Sequence, residues 1–314
     1  MSRARRRDLV VVGGGSAGLV GALTAARLGA RVTLVERERT GGECLWTGCV
    51  PSKSLLAAAE LAHRMRTASA VGLEPVQPRI DFARVMGHVR DAQARIEPHD
   101  SPERLRGEGV EVVTGHARFV EPGRLAVDGR DVAYRAALVA TGSRPALPPV
   151  EGLGGEALLT TDTVWSLDAL PERLVVLGGG PVGCELAQAF ARLGSRVALV
   201  EMGDGLLPAE EPEAGALLAQ RLRDEGVDVR VGVRAERLED GHLVLAGRTG
   251  APERLPADRV LVATGRRPAT DDMGLEAIGV RTGEDGAVQV DDRLSTTARG
   301  VYAAGDVTGL LPFT

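Results

Sequence analysis

The chain has 314 residues, enough for about two domains with sizeable cores at roughly 150 residues each. Lys and Arg total 38 against 43 Asp and Glu, a net charge of -5, too mild to argue for a nucleic-acid partner or an anionic membrane surface. Aromatics make up only 3% of residues and no apolar run approaches the ~20 needed to span a bilayer, so a soluble cytoplasmic protein with neither nucleic-acid nor membrane partners is expected.

From the N-terminus, MSRARRR leads directly into DLVVVGGG, a strand and turn, where a secretory leader needs an apolar stretch and a cleavage site. No leader is expected. Residues 9–36, LVVVGGGSAGLVGALTAARLGARVTLVE, then read as strand, glycine turn, helix and second strand. Residues 174–201, LVVLGGGPVGCELAQAFARLGSRVALVE, repeat this βαβ pattern without a gap, with 17 of 28 positions identical.

A lone G-x-G-x-x-G is weak in a chain with 41 glycines, so the context carries the inference. Gly13, Gly15 and Gly18 follow an apolar strand and open a helix, and Glu36 ends the next strand 18 residues past Gly18. Gly178, Gly180, Gly183 and Glu201 stand in the same relation. The first glycine permits the tight turn, and the second lets a pyrophosphate approach the backbone and the helix N-terminus. The third allows close helix–strand packing, while the glutamate can accept hydrogen bonds from a ribose. Two dinucleotide sites are expected.

Two hydrolase-like patterns compete with this reading. Gly14-Gly15-Ser16-Ala17-Gly18 matches a nucleophile elbow, but the second copy has Pro181 in place of Ser16, so glycine is the common element. His99-Asp100-Ser101 falls within IEPHDSPE, where a capping role before Pro and Glu is favoured.

Immediately after the first βαβ unit comes GGECLWTGCVPSK, residues 41–53. Cys44 and Cys49 cannot bridge along a regular helix, because disulfides need Cα separations of roughly 4.4–6.8 Å, so an irregular segment at Gly48 is expected. Pro51 suits the first turn of a helix through SKSLLAAAELAHRMR, and a cysteine at a helix N-terminus is favoured as thiolate. A zinc half-site would lack its second pair of ligands, and two buried reduced cysteines are the plainer alternative. A redox-active dithiol beside a dinucleotide site is the preferred reading. Lys53 is the one lysine among 38 basic residues, and Cys184, after Gly183, reads as a small packing residue.

Further on, LVATGSRPA (138–146) and LVATGRRPA (261–269) differ at one position, and each follows an Asp-Gly hairpin signal, Asp128-Gly129 or Asp240-Gly241. Each half therefore reads as a βαβ unit, further helix and strand, an antiparallel meander and a buried strand ending in ATG. The Pro-rich PALPPVEGLGG is the expected junction. Residues 287–306 read as a strand, a turn and a second strand ending in Gly305-Asp306.

GGECLWTGCVPSK resembles the redox signature of the class I pyridine nucleotide-disulfide oxidoreductases, the group of lipoamide dehydrogenase, glutathione reductase and mercuric reductase. The likeness runs along essentially the whole chain through both nucleotide motifs, both ATG segments and VYAAGDV. It implies an α/β fold of two nested Rossmann-like dinucleotide-binding domains, for FAD and NAD(P), each with an antiparallel β-meander. Residues 1–148 would begin the FAD-binding domain, 149–269 form the NAD(P)-binding domain, and 270–314 return to the first. Cofactor contacts are implied at Gly13, Gly15, Ser16, Ala17, Gly18, Glu36, Gly42, Lys53, Ala140, Thr141 and Gly142. Further contacts are implied at Gly178, Gly180, Pro181, Val182, Gly183, Glu201, Gly265, Gly305 and Asp306. Glu36 would meet the adenosine ribose and Asp306 the ribityl-phosphate region of FAD.

The same resemblance implies hydride transfer from nicotinamide to flavin, then reduction of a Cys44–Cys49 disulfide and of a small-molecule or protein disulfide substrate. Cys49 would be the charge-transfer thiol and Cys44 the one that exchanges with substrate. Lys53 would lie near the flavin's reactive nitrogen in a buried pair with Glu185. At Glu201-Met202-Gly203-Asp204-Gly205 the acidic residue, with no arginine beside it, favours NADH over NADPH. No metal site is expected.

The family's C-terminal dimerisation domain, with its acid–base histidine, has no counterpart before Thr314, and none of His63, His88, His99, His116 or His242 has a matching context. A homodimer is expected of the family, but its interface domain is absent here. A chain ending there is expected to be poorly soluble or dependent on a partner, and a catalytically incompetent nucleotide-binding remnant is the alternative reading. No vicinal cysteine pair of the mercuric-reductase kind occurs near the end, and Trp46 and Thr47 stand where lipoamide dehydrogenases more often have Asn and Val.

Overall fold

A computed structural model describes residues 6–247 and 252–310, so most of MSRARRR and the final LPFT lie outside the described residues. The chain divides into two compact units, Met1–Trp46 with Gln93–Arg144 and Arg266–Thr314, and Thr47–Ala92 with Pro145–Gly265. Among the described residues, no helix is long and apolar enough to cross a membrane.

In the first unit the strands Val110–Thr114, Val32–Glu36, Arg7–Val12 and Arg130–Val139 run parallel in that order, and Val301–Ala303 pairs with Arg130–Val139. Val10, Val11 and Val12 are buried, as expected where a parallel sheet is covered on both faces. The helix Ser16–Arg27 contributes Leu19 and Ala22 to the core formed with Val11, Val32 and Leu34. The strands Ala117–Glu121 and Arg124–Val127 and the start of Arg130–Val139 form the expected meander. Asp128 and Gly129 have φ of 45° and 80°, the doubly left-handed turn that joins twisted antiparallel strands.

The second unit repeats the pattern with one difference. Its parallel sheet runs Asp228–Val231, Arg196–Glu201, Arg173–Leu177, Arg259–Val262 and Leu158–Thr160. The meander Val233–Glu239, His242–Gly247 and Glu253–Pro256 forms a separate three-stranded sheet, again with positive φ at Asp240 and Gly241. In the first unit, one ten-residue strand serves both meander and parallel sheet. Here Pro256 supplies no N–H, and Asp258 turns away to accept the backbone N–H of Arg173 at 2.9 Å, so the strand is cut in two.

The first of the two strands expected within 287–306 is a correction. Val288 and Val290 make only isolated bridges, to Thr282 and Thr296. The Asp291 carboxylate accepts the N–H groups of Arg293 and Ser295, both at 2.9 Å, and this tight turn reverses the chain before a ladder can extend. The capping reading of Ser101 holds, since its hydroxyl accepts the Arg104 N–H at 3.2 Å and Pro102 begins the helix Pro102–Gly107.

The helix Cys49–Arg66 shares the second unit's core with Pro181–Leu193, Leu55 and Ala59 joining Leu186, Ala187 and Phe190. A charged cluster pins the same helices. Arg192 is 2.6 Å from Glu225 and 2.5 Å from Glu60, with side chains of Arg192 and Glu225 only 13% and 4% exposed. Burial pushes the Glu225 carboxyl up, but the Arg192 hydrogen bond and charge outweigh it and hold the group below its usual range. Its stabilising contribution is therefore complete above the usual carboxylate range and lost as pH falls through the lowered folded value. Glu225→Ala should cost about 3 kcal/mol in chemical unfolding at pH 7, because it strips a buried guanidinium of its main partner. The difference from wild type should shrink in acid.

Candidate functional site

The two glycine turns have the same construction. Gly13 and Gly178 have φ of 106° and 110°, and their N–H groups donate to Val35 and Val200 at 2.8 and 2.9 Å. Each following helix begins behind a glycine N-cap, Gly15 or Gly180, with no side chain capping it. Its first amides, on Ser16, Ala17 and Gly18 or on Val182 and Gly183, lack the intrahelical partners that later turns supply. A Cβ on Gly18 or Gly183 would strike the carbonyl of Gly13 or Gly178, so helix and strand meet there at backbone distance. The residues present thus fit a bound pyrophosphate at each turn.

Both strand-end glutamates also brace their loops. Glu36 accepts the Gly14 and Glu38 N–H groups at 2.6 and 2.8 Å, and Glu201 accepts those of Gly179 and Gly203, both at 2.6 Å. Each glutamate ties a glycine loop to the turn after its strand and keeps further acceptor capacity for a ribose hydroxyl.

Other predicted residues gather at the first turn. A Cβ on Gly42, which has φ of 58°, would collide with Gly15 Cα, and one on Gly305 would stand 3.2 Å from Ala17 Cβ. Ala140 donates its N–H to Val12 at 2.8 Å, and the Thr141 hydroxyl donates to the Ala269 carbonyl at 2.7 Å, with Gly142 next in the loop. Asp306 accepts the Ser143 hydroxyl at 2.7 Å, and Ser143 Oγ accepts Arg266 Nε at 2.7 Å. Arg266 also pairs with Glu43 at 2.6 Å. Ser143, Arg266 and Glu43 were not singled out in the sequence, although Ser143 and Arg266 occupy the same place after their two ATG segments. In the second unit, Gly265 accepts the Ala146 N–H at 2.9 Å, and Pro181 and Val182 are exposed at the turn.

The redox motif is irregular where expected. A short helix, Gly42–Trp46, carries Cys44; the chain breaks at Thr47 and Gly48, and Cys49 begins the helix Cys49–Arg66 with Gly48 as N-cap. Both cysteines are half-buried, and Pro51 lies in the first turn. The unit division falls between Trp46 and Thr47. In the first unit, Gln93 donates through its amide nitrogen to the Leu45 and Trp46 carbonyls at 3.2 and 2.8 Å. In the second, the Trp165 indole N–H is shared by the Thr47 and Thr161 carbonyls at 2.8 and 2.7 Å. Gln93 had a legible signal, a polar residue continuing the buried stripe of Phe82, Met86 and Val89.

Lys53 meets Glu185 at 2.6 Å, but their side chains are 61% and 41% exposed, which corrects the expectation of a buried pair. Lys53 lies on the second turn of its helix with its long stem reaching outward, so the ion pair alone is worth at most about 1 kcal/mol here. Cys184 is buried, its thiol donating to the Gly179 carbonyl, and burial followed by the charges of Glu201 and Glu185 pushes its pKa up to about 11. Iodoacetamide at pH 8 should therefore leave Cys184 unmodified in the native chain and label it once denatured, read by peptide mass spectrometry.

Two βαβ turns of the dinucleotide-binding kind, a cysteine-bearing break after the first and two strands each ending in ATG define an α/β architecture with two nucleotide-binding folds. The pyridine nucleotide-disulphide oxidoreductase family pattern matches residues 7–313, and the chain belongs to that family. It is 40% identical over 307 residues to a dihydrolipoyl dehydrogenase of Thermus scotoductus, covering 96% of this chain and 66% of that protein. It is 41% identical over 311 residues to a mercuric reductase of Streptomyces lividans, covering 96% and 65%. The solved structure of the HOCl-induced flavoprotein disulfide reductase RclA from Escherichia coli superposes with a TM-score of 0.85 at 30% identity, over 98% of this chain and 67% of that one. The chain thus spans just under two thirds of the length of these two relatives.

Proposed function

We propose that this chain carries the FAD- and NADH-binding parts of a disulfide oxidoreductase whose working group is the Cys44–Cys49 pair. The observation that carries the reading is the cysteine pair, split by a helix break and standing directly after a dinucleotide turn that the chain repeats 165 residues later. FAD bound at the first turn would supply a two-electron carrier between a nicotinamide hydride and a disulfide.

The protein's own contributions follow from its residues. The helix Ser16–Arg27 offers open amides to the FAD pyrophosphate, Glu36 accepts from the adenosine ribose, and Asp306, held by Ser143, accepts at the ribityl end. The helix Pro181–Leu193 does the same for the nicotinamide cofactor. Glu201 favours NADH, because a carboxylate accepts from a free 2′-hydroxyl and repels a 2′-phosphate. Cys49, which opens the helix Cys49–Arg66, is the sulfur facing the flavin, leaving Cys44 to attack the substrate disulfide. In that half-reaction the protein dithiol becomes a disulfide, and the substrate disulfide leaves as two thiols. Lys53, paired with Glu185, would supply positive charge beside the flavin.

The test is anaerobic titration of the purified, FAD-loaded chain with NADH, followed by visible absorption. A long-wavelength thiolate-to-flavin band should develop, and NADPH should need a much higher concentration to produce it. A chain that binds no FAD, or bleaches without that band, would overturn the reading in favour of a nucleotide-binding remnant. The substrate class is a disulfide or dithiol, small or protein-borne, and the working assembly is a homodimer completed by a C-terminal domain of the family type.

A further inference from the structure

The stretch between the two cysteines contains Leu45, Trp46, Thr47 and Gly48. It ends one helix and precedes another, so the carbonyls of its first three residues lack the partners that a continuing helix would provide. Each of the three accepts a side-chain hydrogen bond from a residue distant in sequence. Gln93 holds Leu45 and Trp46 within the first unit, and Trp165 holds Thr47 within the second.

Neither donor is explained by packing alone. Gln93 is 9% exposed on the buried stripe of Phe82–Asp100, where leucine or methionine would fill the same space without an amide. Trp165 sits on the short helix Val164–Ser166 beside the second unit's core, with its one N–H shared between two carbonyls.

We propose that Gln93 and Trp165 are positioning residues for the dithiol, fixing the backbone one and two residues after Cys44 and two residues before Cys49. This rests on the redox-pair reading above and adds to it. Each donor, acting within its own unit, orders the backbone beside one cysteine of the open dithiol, so that side of the ring gives up little further freedom on closure. With a donor removed, the segment samples more conformers when open, and the same disulfide becomes harder to form.

The experiment is an equilibrium in glutathione buffer. Protein dithiol plus oxidised glutathione gives protein disulfide plus two molecules of reduced glutathione, with Cys44 and Cys49 scored by alkylation and peptide mass spectrometry. It uses the full chain, with and without bound FAD. Trp165→Phe keeps the aromatic packing and loses the donor, and Gln93→Leu keeps the volume and loses the amide. Each should lower the equilibrium constant about tenfold, with little change in thermal midpoint.

Constants within about twofold of wild type in both variants would overturn the proposal while leaving the redox pair intact. A fall in one variant alone would keep that residue's role and overturn the other's. Should Gln93→Leu fail to fold, Trp165→Phe decides the matter. If the wild-type chain forms no Cys44–Cys49 disulfide at any glutathione ratio, the redox-pair reading falls, and the positioning claim falls with it.

Discussion

Gly18→Ala should purify without colour, whereas Gly183→Ala should stay yellow but no longer be reduced by NADH at concentrations that saturate wild type. The two substitutions add the same methyl at equivalent places, against the Gly13 or the Gly178 carbonyl. Backbone cannot step aside as a flexible side chain can, so the helix must retreat and its first amides leave the pyrophosphate. Overpacking of this kind costs about 1–3 kcal/mol. At 1.4 kcal/mol per factor of ten, affinity for the cofactor at that turn should fall by about 5- to 140-fold. Flavin fluorescence quenching and NADH titration read the two sites separately. Equal loss of both cofactors in both variants would contradict the assignment of one cofactor to each turn.

Cys49→Ser should bind FAD normally, yet show no long-wavelength band on reduction and lose disulfide-reducing turnover by about 10³-fold or more, because the covalent route needs both thiols. Cys44→Ser should lose turnover to a similar degree but keep the band, since Cys49, the sulfur proposed to face the flavin, remains. The contrast separates the two sulfurs by role. A band that survives Cys49→Ser and disappears in Cys44→Ser would reverse the assignment. Of the two readouts, the band needs only the residues of this chain, its flavin and a reductant.

The parts of the fold legible in the sequence were those governed by short-range rules. The βαβ units follow from apolar runs and glycine spacing, and both meanders follow from Asp-Gly pairs whose positive φ values the structure bears out. The break between the cysteines follows from disulfide geometry. Less legible was whether a meander strand continues into the parallel sheet, since that turned on Pro256 and the diversion of Asp258 to the Arg173 amide. The apparent strand at 287–290 alternated correctly, but the Asp291 turn gave it no partner long enough to form a ladder. Exposure of the Lys53–Glu185 pair, and the proposed roles of Gln93 and Trp165 and the contacts of Arg266, depend on pairings 47 to 223 residues apart, beyond any local pattern.

The bracing role of the glutamates has a bearing on how such a protein can change. Cofactor preference is commonly altered by exchanging the acidic residue at the end of the second strand, but Glu201 also clamps the backbone amides of Gly179 and Gly203. A neutral replacement that welcomed a 2′-phosphate would loosen the turn that must hold the pyrophosphate. On the NADH assignment proposed above, selectivity and affinity are coupled through a single side chain, and a one-step mutational path to NADPH passes through a poorer binder of both nucleotides. A lineage making that change would need a second substitution first, one that secures the loop without Glu201. Glu36 clamps the amides of Gly14 and Glu38 in the same way, so replacing it should loosen the first turn just as replacing Glu201 loosens the second.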